Sequence, residues 1–138
     1  MSSRYHEVYG AWQANPLAFW AEAAREIDWI KPPQKIFDAS AGVYGRWFPD
    51  AALNTCHNAV DRHIAAGRGQ QDAIIYDSPM TGQVQRITYA ELQSRVAKLA
   101  GAMAARGISK GDRVVIYMPM VPEAAIAMLA TARLGAVH

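Results

Sequence analysis

Four histidines, one cysteine and a scatter of carboxylates are the groups in this sequence able to ligate metal, attack as nucleophiles or move protons. Their spacing limits what they can do. Cys56 and His63 are seven residues apart, so on a helix they share a face but stand two turns, roughly 10 Å, from each other. A metal ion holds its ligands at about 2 Å, and the two cannot chelate one ion. They read as a packed cysteine and a core-edge histidine. His57 falls on another face, while His6 and His138 lie near the two ends of the chain. Glu22 and Glu26 sit on a helix face that reads as solvated, not as an acid–base pair. Gly67-Arg68-Gly69-Gln70 is too short for a phosphate loop and runs into a strand. There is no G-x-x-x-x-G-K-[ST] run, no G-x-G-x-x-G opening a helix and no G-x-S-x-G elbow. By this reading the chain holds no catalytic residue, no cofactor-binding residue and no metal ligand.

The elements around these residues follow from composition and period. The 138 residues are 51% hydrophobic and 19% charged, with a formal charge of +2, which fits a globular α/β chain. Basic and acidic residues alternate, which argues against a nucleic-acid surface. The apolar run from Ala124 to Leu134 is too short to span a bilayer, which needs about 20 residues, and it carries Arg133. No membrane association is expected. A single cysteine forbids an internal disulfide and agrees with a cytoplasmic location. No signal or transit peptide is read at the N-terminus, and a mitochondrial matrix location would apply only to a eukaryotic source.

The first third holds all four tryptophans and reads as irregular and aromatic, covering a neighbouring domain. Asn15-Pro16 opens a helix whose apolar stripe is Leu17, Trp20, Ala24 and Ile27. Residues 35–54 show no sustained period and read as extended chain. Asn54 and Thr55 cap a helix to about Ala66, with Cys56, Ala59, Val60 and His63 inward. The glycines at 67 and 69 mark a break. Residues 72–77 and 83–87 form a hairpin over a loop of about five residues. Thr88-Tyr89-Ala90-Glu91 is a capping box, opening a helix with Leu92, Val96, Leu99 and Met103 on one face and Gly107 at its end. Glu91 and Arg95 pair across one turn. Arg113 to Met118 is a continuous apolar strand, expected to be buried on both faces of a parallel sheet. Pro122-Glu123 starts a buried helix that Gly135 terminates, and Ala136-Val137-His138 begins the next strand. The chain thus reads as stopping within a βαβ unit, since a crossover helix needs its returning strand.

The wording of these elements resembles a known family. Thr88-Tyr89-Ala90-Glu91-Leu92 and Lys110-Gly111-Asp112-Arg113-Val114 are similar to segments found across the adenylate-forming superfamily. Tyr117-Met118-Pro119-Met120-Val121-Pro122-Glu123-Ala124 and Ala132-Arg133-Leu134-Gly135-Ala136-Val137-His138 resemble the narrower short-chain acyl-CoA synthetase branch. Phe19-Trp20-Ala21-Glu22, Ile27-Asp28-Trp29, Arg46-Trp47-Phe48 and Asn54 to His63 resemble the N-terminal extension of that branch. Several of these, with Ile75-Tyr76-Asp77-Ser78-Pro79, are closest to the propionyl-CoA synthetases.

The resemblance implies that residues 1–66 are an acetyl-CoA-synthetase-type N-terminal extension and residues 67–138 the incomplete start of an AMP-binding domain. It implies a longer parent that uses ATP, CoA and Mg²⁺ to join propionate, or acetate, to CoA through an acyl-adenylate. The expected packing partner is the rest of the large domain. The family's phosphate loop, acidic motif and lysine match no position here, so the segment itself is expected to be structural and to bind none of these cofactors. A segment of an acetyl-CoA synthetase or other short-chain acyl-CoA ligase, and a free-standing, non-catalytic α/β interaction module, are the rival readings. The latter requires a closed sheet within these 138 residues.

Overall fold

The computed structural model describes residues 3–138. The architecture is α/β, in two compact units: one ends at Leu53 and the other spans Asn54–His138.

The first unit is built from helices α1 (Tyr5–Ala14) and α2 (Pro16–Ala23) and four short strands. Helix α1 departs from the irregular chain expected there. It has no side-chain cap and buries no residue, but it places Tyr5, Tyr9 and Trp12 in a ladder of rings 5.6 and 5.5 Å apart. Helix α2 starts as its sequence dictates, with the Asn15 carboxamide accepting from the Ala18 amide at 3.0 Å and Pro16 in the first turn. It ends earlier than its apolar stripe suggests. A 3₁₀ turn covers Ala24–Glu26, and Ile27 is already extended. The Trp29 indole N–H, donating to the Ala24 carbonyl at 2.7 Å, satisfies the helix end and turns the chain. Strands β1 (Trp29–Lys31) and β4 (Ala52–Leu53) pair antiparallel, as do β2 (Phe37–Asp38) and β3 (Arg46–Trp47).

The second unit holds the main core: Cys56, Val60, Ile87, Leu92, Val96, Ala100, Ile126 and Ala130. A helix begins at Asn54, whose carboxamide oxygen accepts from the His57 amide at 3.0 Å. It widens into π-helical turns at His57–Asp61 and Ile64–Arg68. The widening corrects the expected inward stripe: Cys56 and Val60 are buried and Ile64 packs on the core, whereas Ala59 is exposed. Gly67, at φ 79°, breaks the helix where expected. Strands β5 (Asp72–Ser78) and β6 (Gln83–Thr88) form the hairpin over four loop residues, because Ser78 pairs with Gln83.

Helix α3 (Tyr89–Ala104) opens with the capping box in full: Glu91 N–H to the Thr88 hydroxyl at 3.2 Å, and Thr88 N–H to the Glu91 carboxylate at 3.4 Å. Its buried residues are Leu92, Val96 and Ala100, with Leu99 and Met103 half-buried beside them. It closes in a Schellman arrangement, with Gly107 at φ 89° and the Ile108 and Gly107 amides on the Met103 and Ala104 carbonyls. Arg95 and Glu91 pair at 3.8 Å. Replacing Thr88 by alanine is expected to lower the stability of this unit by about 1 kcal/mol, read from the urea midpoint by far-UV circular dichroism.

Residues 113–118 correct the expectation of a strand buried on both faces. They are extended, but the sheet contact is a single parallel bridge, Arg113 to Val137. Val114 and Ile116 are half-buried, while Val115 is 91% exposed and Tyr117 fully so. A continuous apolar run is buried twice only where layers cover both faces of the sheet, and here alternate residues face open space. Helix α4 (Pro122–Arg133) then buries Pro122, Ile126, Ala127, Ala130 and Thr131 but leaves Met128 43% exposed, so it is covered on part of its surface and is less buried than expected. Past Gly135, the chain returns parallel to residues 111–114. Gly111 N–H donates to Gly135 O at 3.0 Å, Val137 N–H to Asp112 O at 2.8 Å and Val114 N–H to Val137 O at 2.8 Å.

Candidate functional site

Several of the groups with chemical potential have structural partners. Cys56 is fully buried, and burial pushes its thiol pKa up, against the pull of Arg133, so it is not primed as a nucleophile. His63 is half-buried, with its ring edge-on to Tyr89 at 4.9 Å between centroids. Among the described residues, no three His, Cys, Asp or Glu side chains cluster in a way that could hold a metal ion. Glu22 is ion-paired with Arg25 at 2.7 Å on an exposed face. Gly67-Arg68-Gly69 is a turn whose Gly69 carbonyl accepts from the Ala90 amide at the start of α3.

What sequence reading missed is a polar cluster in the second unit, centred on Asp61 and Arg133. The two guanidinium nitrogens of Arg133 donate to the two Asp61 oxygens, each at 3.1 Å, in a two-pronged charge-assisted pair. Gln93 donates to Asp61 at 2.6 Å. Arg133 also reaches the Cys56 sulfur at 3.5 Å. The Asn54 amide donates to the Arg133 and Ala132 carbonyls at 3.1 and 3.4 Å, capping the end of α4. Burial works against the guanidinium charge, but Asp61 and Cys56 outweigh it and raise the Arg133 pKa further. The cluster joins two runs of family-like wording, Asn54–His63 and Ala132–His138. Its signal was present in the sequence as one arginine at the end of a helix whose middle is mostly apolar. This end of α4 is at the N-terminal edge of the parallel strands, whereas ligands in open α/β sheets bind at the opposite edge. At the opposite edge lie Met118, Pro119 and the 94% exposed Met120, just before α4.

The first unit offers an open apolar groove of about 460 Å³ lined by Trp12, Pro16, Trp20, Trp47 and Phe48. Trp47 packs on Phe37 and Trp20 at 4.7 and 6.0 Å. Its walls carry no charged or acid–base group, so it has shape without chemistry.

Two carboxylates anchor the loops around this groove. The Ser40 hydroxyl and amide, with Lys35, donate to Asp38 and hold its pKa down to about 2. The Gln34 amide, then that of Lys35, lowers the pKa of Asp50. The Asp38 value lies below the ordinary carboxylate range, so the stability its contacts contribute is present above about pH 4 and is lost as pH falls towards 2; the lowered pKa of Asp50 acts in the same direction. Acid titration followed by tryptophan fluorescence is expected to show a transition in that window, and Asp38→Asn is expected to shallow it.

Comparison with known proteins places these features in a family. The acetyl-coenzyme A synthetase N-terminus family matches residues 5–59, and the AMP-binding enzyme family matches residues 61–138. The chain is 48% identical over 136 residues to human acyl-CoA synthetase short-chain family member 3, mitochondrial, covering 99% of this chain and 20% of that protein. It is 46% identical over 139 residues to the acetyl-coenzyme A synthetase of Methylobacterium radiotolerans, covering 99% of this chain and 21% of that protein. Among solved structures, acetoacetyl-CoA synthetase from Streptomyces lividans superposes with a TM-score of 0.77 at 32% identity, over 92% of this chain and 20% of that one. The chain thus spans about a fifth of the length of the relatives it matches. On the strength of the match over residues 61–138, which are more than half its length, this chain belongs to the AMP-binding enzyme family and carries the acetyl-coenzyme A synthetase type of N-terminus in front of that domain.

Proposed function

We propose that this chain is the N-terminal segment of an AMP-forming short-chain acyl-CoA ligase, and that the ligase acts on propionate. The observation that carries the ligase reading is the match of both modules in order, over residues 5–59 and 61–138, at close to half identity to acyl-CoA and acetyl-CoA synthetases. The propionate reading rests on the wording of Phe19-Trp20-Ala21-Glu22, Asn54–His63 and Ile75–Pro79. In this reading residues 1–66 are the N-terminal extension and residues 67–138 open the AMP-binding domain, with the last helix of the extension packed into the domain's unit.

The proposed reaction has two steps. The substrate carboxylate attacks the α-phosphorus of ATP, forming acyl-adenylate and releasing pyrophosphate. The CoA thiol then attacks the acyl carbon and displaces AMP, leaving the thioester. A magnesium ion would offset charge on the triphosphate. No residue of this segment is assigned a catalytic, cofactor-binding or metal-binding role. Its part is to supply the first strands and packing helices, with the rest of the large domain as packing partner.

A second reading, acetate as the substrate, is favoured by the 46% identity to an acetyl-coenzyme A synthetase. The test is AMP formation by the full-length protein with ATP and CoA, comparing propionate with acetate at equal concentrations. A higher kcat/KM for propionate supports the first reading. A higher value for acetate replaces it with the second, and activity with neither overturns both.

A further inference from the structure

Asp61 is the fifth residue after Cys56, and both reach the same guanidinium. Arg133 donates to the two Asp61 oxygens at 3.1 Å and to the Cys56 sulfur at 3.5 Å. A regular α-helix cannot present the two residues in this way. At 3.6 residues per turn, five residues leave their side chains about 140° apart, close to opposite faces. The turn between them is not α-helical. His57–Asp61 is a π turn, in which the Arg62 amide donates to the His57 carbonyl five residues back. A turn that closes over five residues brings Asp61 into line with Cys56.

Apolar packing does not demand this widening. Cys56, Val60 and Ile64, which pack in the core, are spaced four apart. On an ordinary α-helix they would fall within about 80° of one another, on one stripe. Asp61 is the residue that an α-helix would misplace, and its partners belong to other elements: Arg133 of α4 and Gln93 of α3. Single π turns are rare, so a specific contact has to select this one.

We propose that the Asp61–Arg133 pair selects the π turn: the exposed Ala59 is a surplus residue, and the helix widens around it to carry Asp61 onto the Cys56 face, where Arg133 holds it. The helix beginning at Asn54 is thereby keyed to α4 in one rotational setting. Without Arg133 the same residues settle as an α-helix. The inference holds whichever carboxylate the ligase uses.

Two variants of the 138-residue chain test it. In Arg133→Met, NMR couplings across hydrogen bonds are expected to show the Arg62 amide bonded to the Asn58 carbonyl, four residues back, in place of His57. The second variant deletes Ala59, which makes Asp61 the fourth residue after Cys56 and aligns the two on a plain α-helix. Cys56 is the sole cysteine and fully buried, so its labelling by a thiol reagent reports opening of this core. Labelling without Ala59 is expected to stay within about threefold of wild type, whereas deleting Ala97, equally exposed on α3, speeds it at least about a hundredfold. Equal exposure of Cys56 by the two deletions would overturn the proposal. So would an Arg133→Met chain that keeps the bond from Arg62 to His57.

Discussion

Replacing Ile87 by alanine is expected to destabilise the 54–138 unit by about 3 kcal/mol, the largest loss from any single core truncation here. Ile87 is fully buried at the end of β6, next to the capping box that starts α3, and belongs to the cluster with Val60, Leu92 and Val96. Truncation removes three carbons from a site lined by two helices and a strand, and rigid elements collapse little into such a void. Ile87→Val removes one methylene and is expected to cost about 1 kcal/mol, which separates cavity size from any effect on the hairpin. Because all four tryptophans precede Asn54, tryptophan fluorescence is blind to this unit. Urea melts should be followed by far-UV circular dichroism. A loss under 1 kcal/mol for the alanine variant would show that Ile87 is not the keystone of this core.

Gly45→Val is expected to remove the ordered loop of the first unit, at about 3 kcal/mol or more. Gly45 has φ 65°, a left-handed conformation that a β-branched residue strongly disfavours. A side-chain carbon there would also meet the Phe37 ring and come within 2.9 Å of the Asp38 carbonyl. The backbone cannot yield, because β2 and β3 pair at Phe37–Trp47 and Asp38–Arg46. Displacing Phe37 would part it from Trp47, now 4.7 Å away, so the tryptophan emission should shift to the red under native conditions. An unchanged spectrum would show that the loop adapts and the strain argument fails.

How far the sequence could be read depended on how local each determinant was. Caps and breaks are set by neighbours a few residues apart, and Asn15, Asn54, Thr88, Gly67, Gly107 and Gly135 act where their chemistry predicts. The hairpin and both later helices were legible for the same reason. Helix α1 was not, because it has neither a side-chain cap nor a buried face, although Tyr5, Tyr9 and Trp12 recur at helical spacing. Residues 113–118 misled because a continuous apolar run states that a strand can be covered on both faces without stating what covers it. The π-helical widening at 57–68 turned Ala59 outward, which a 3.6-residue period cannot foresee. Asp61 and Arg133 lie 72 residues apart, and no local pattern announces a contact at that separation. The family wording, in contrast, was legible almost from end to end, because it is carried by contiguous runs such as Asn54–His63 and Ala132–His138 and not by contacts between distant residues.

The proposed parent enzyme activates a short carboxylate as its adenylate. Isotope exchange between pyrophosphate and ATP, catalysed by the full-length protein, tests it most directly, because exchange reports the first half-reaction alone. Exchange is expected to require propionate or acetate and magnesium, to proceed without CoA, and to lead to AMP, not ADP, once CoA is added. No carboxylate-dependent exchange, or turnover of ATP to ADP and phosphate, would contradict it.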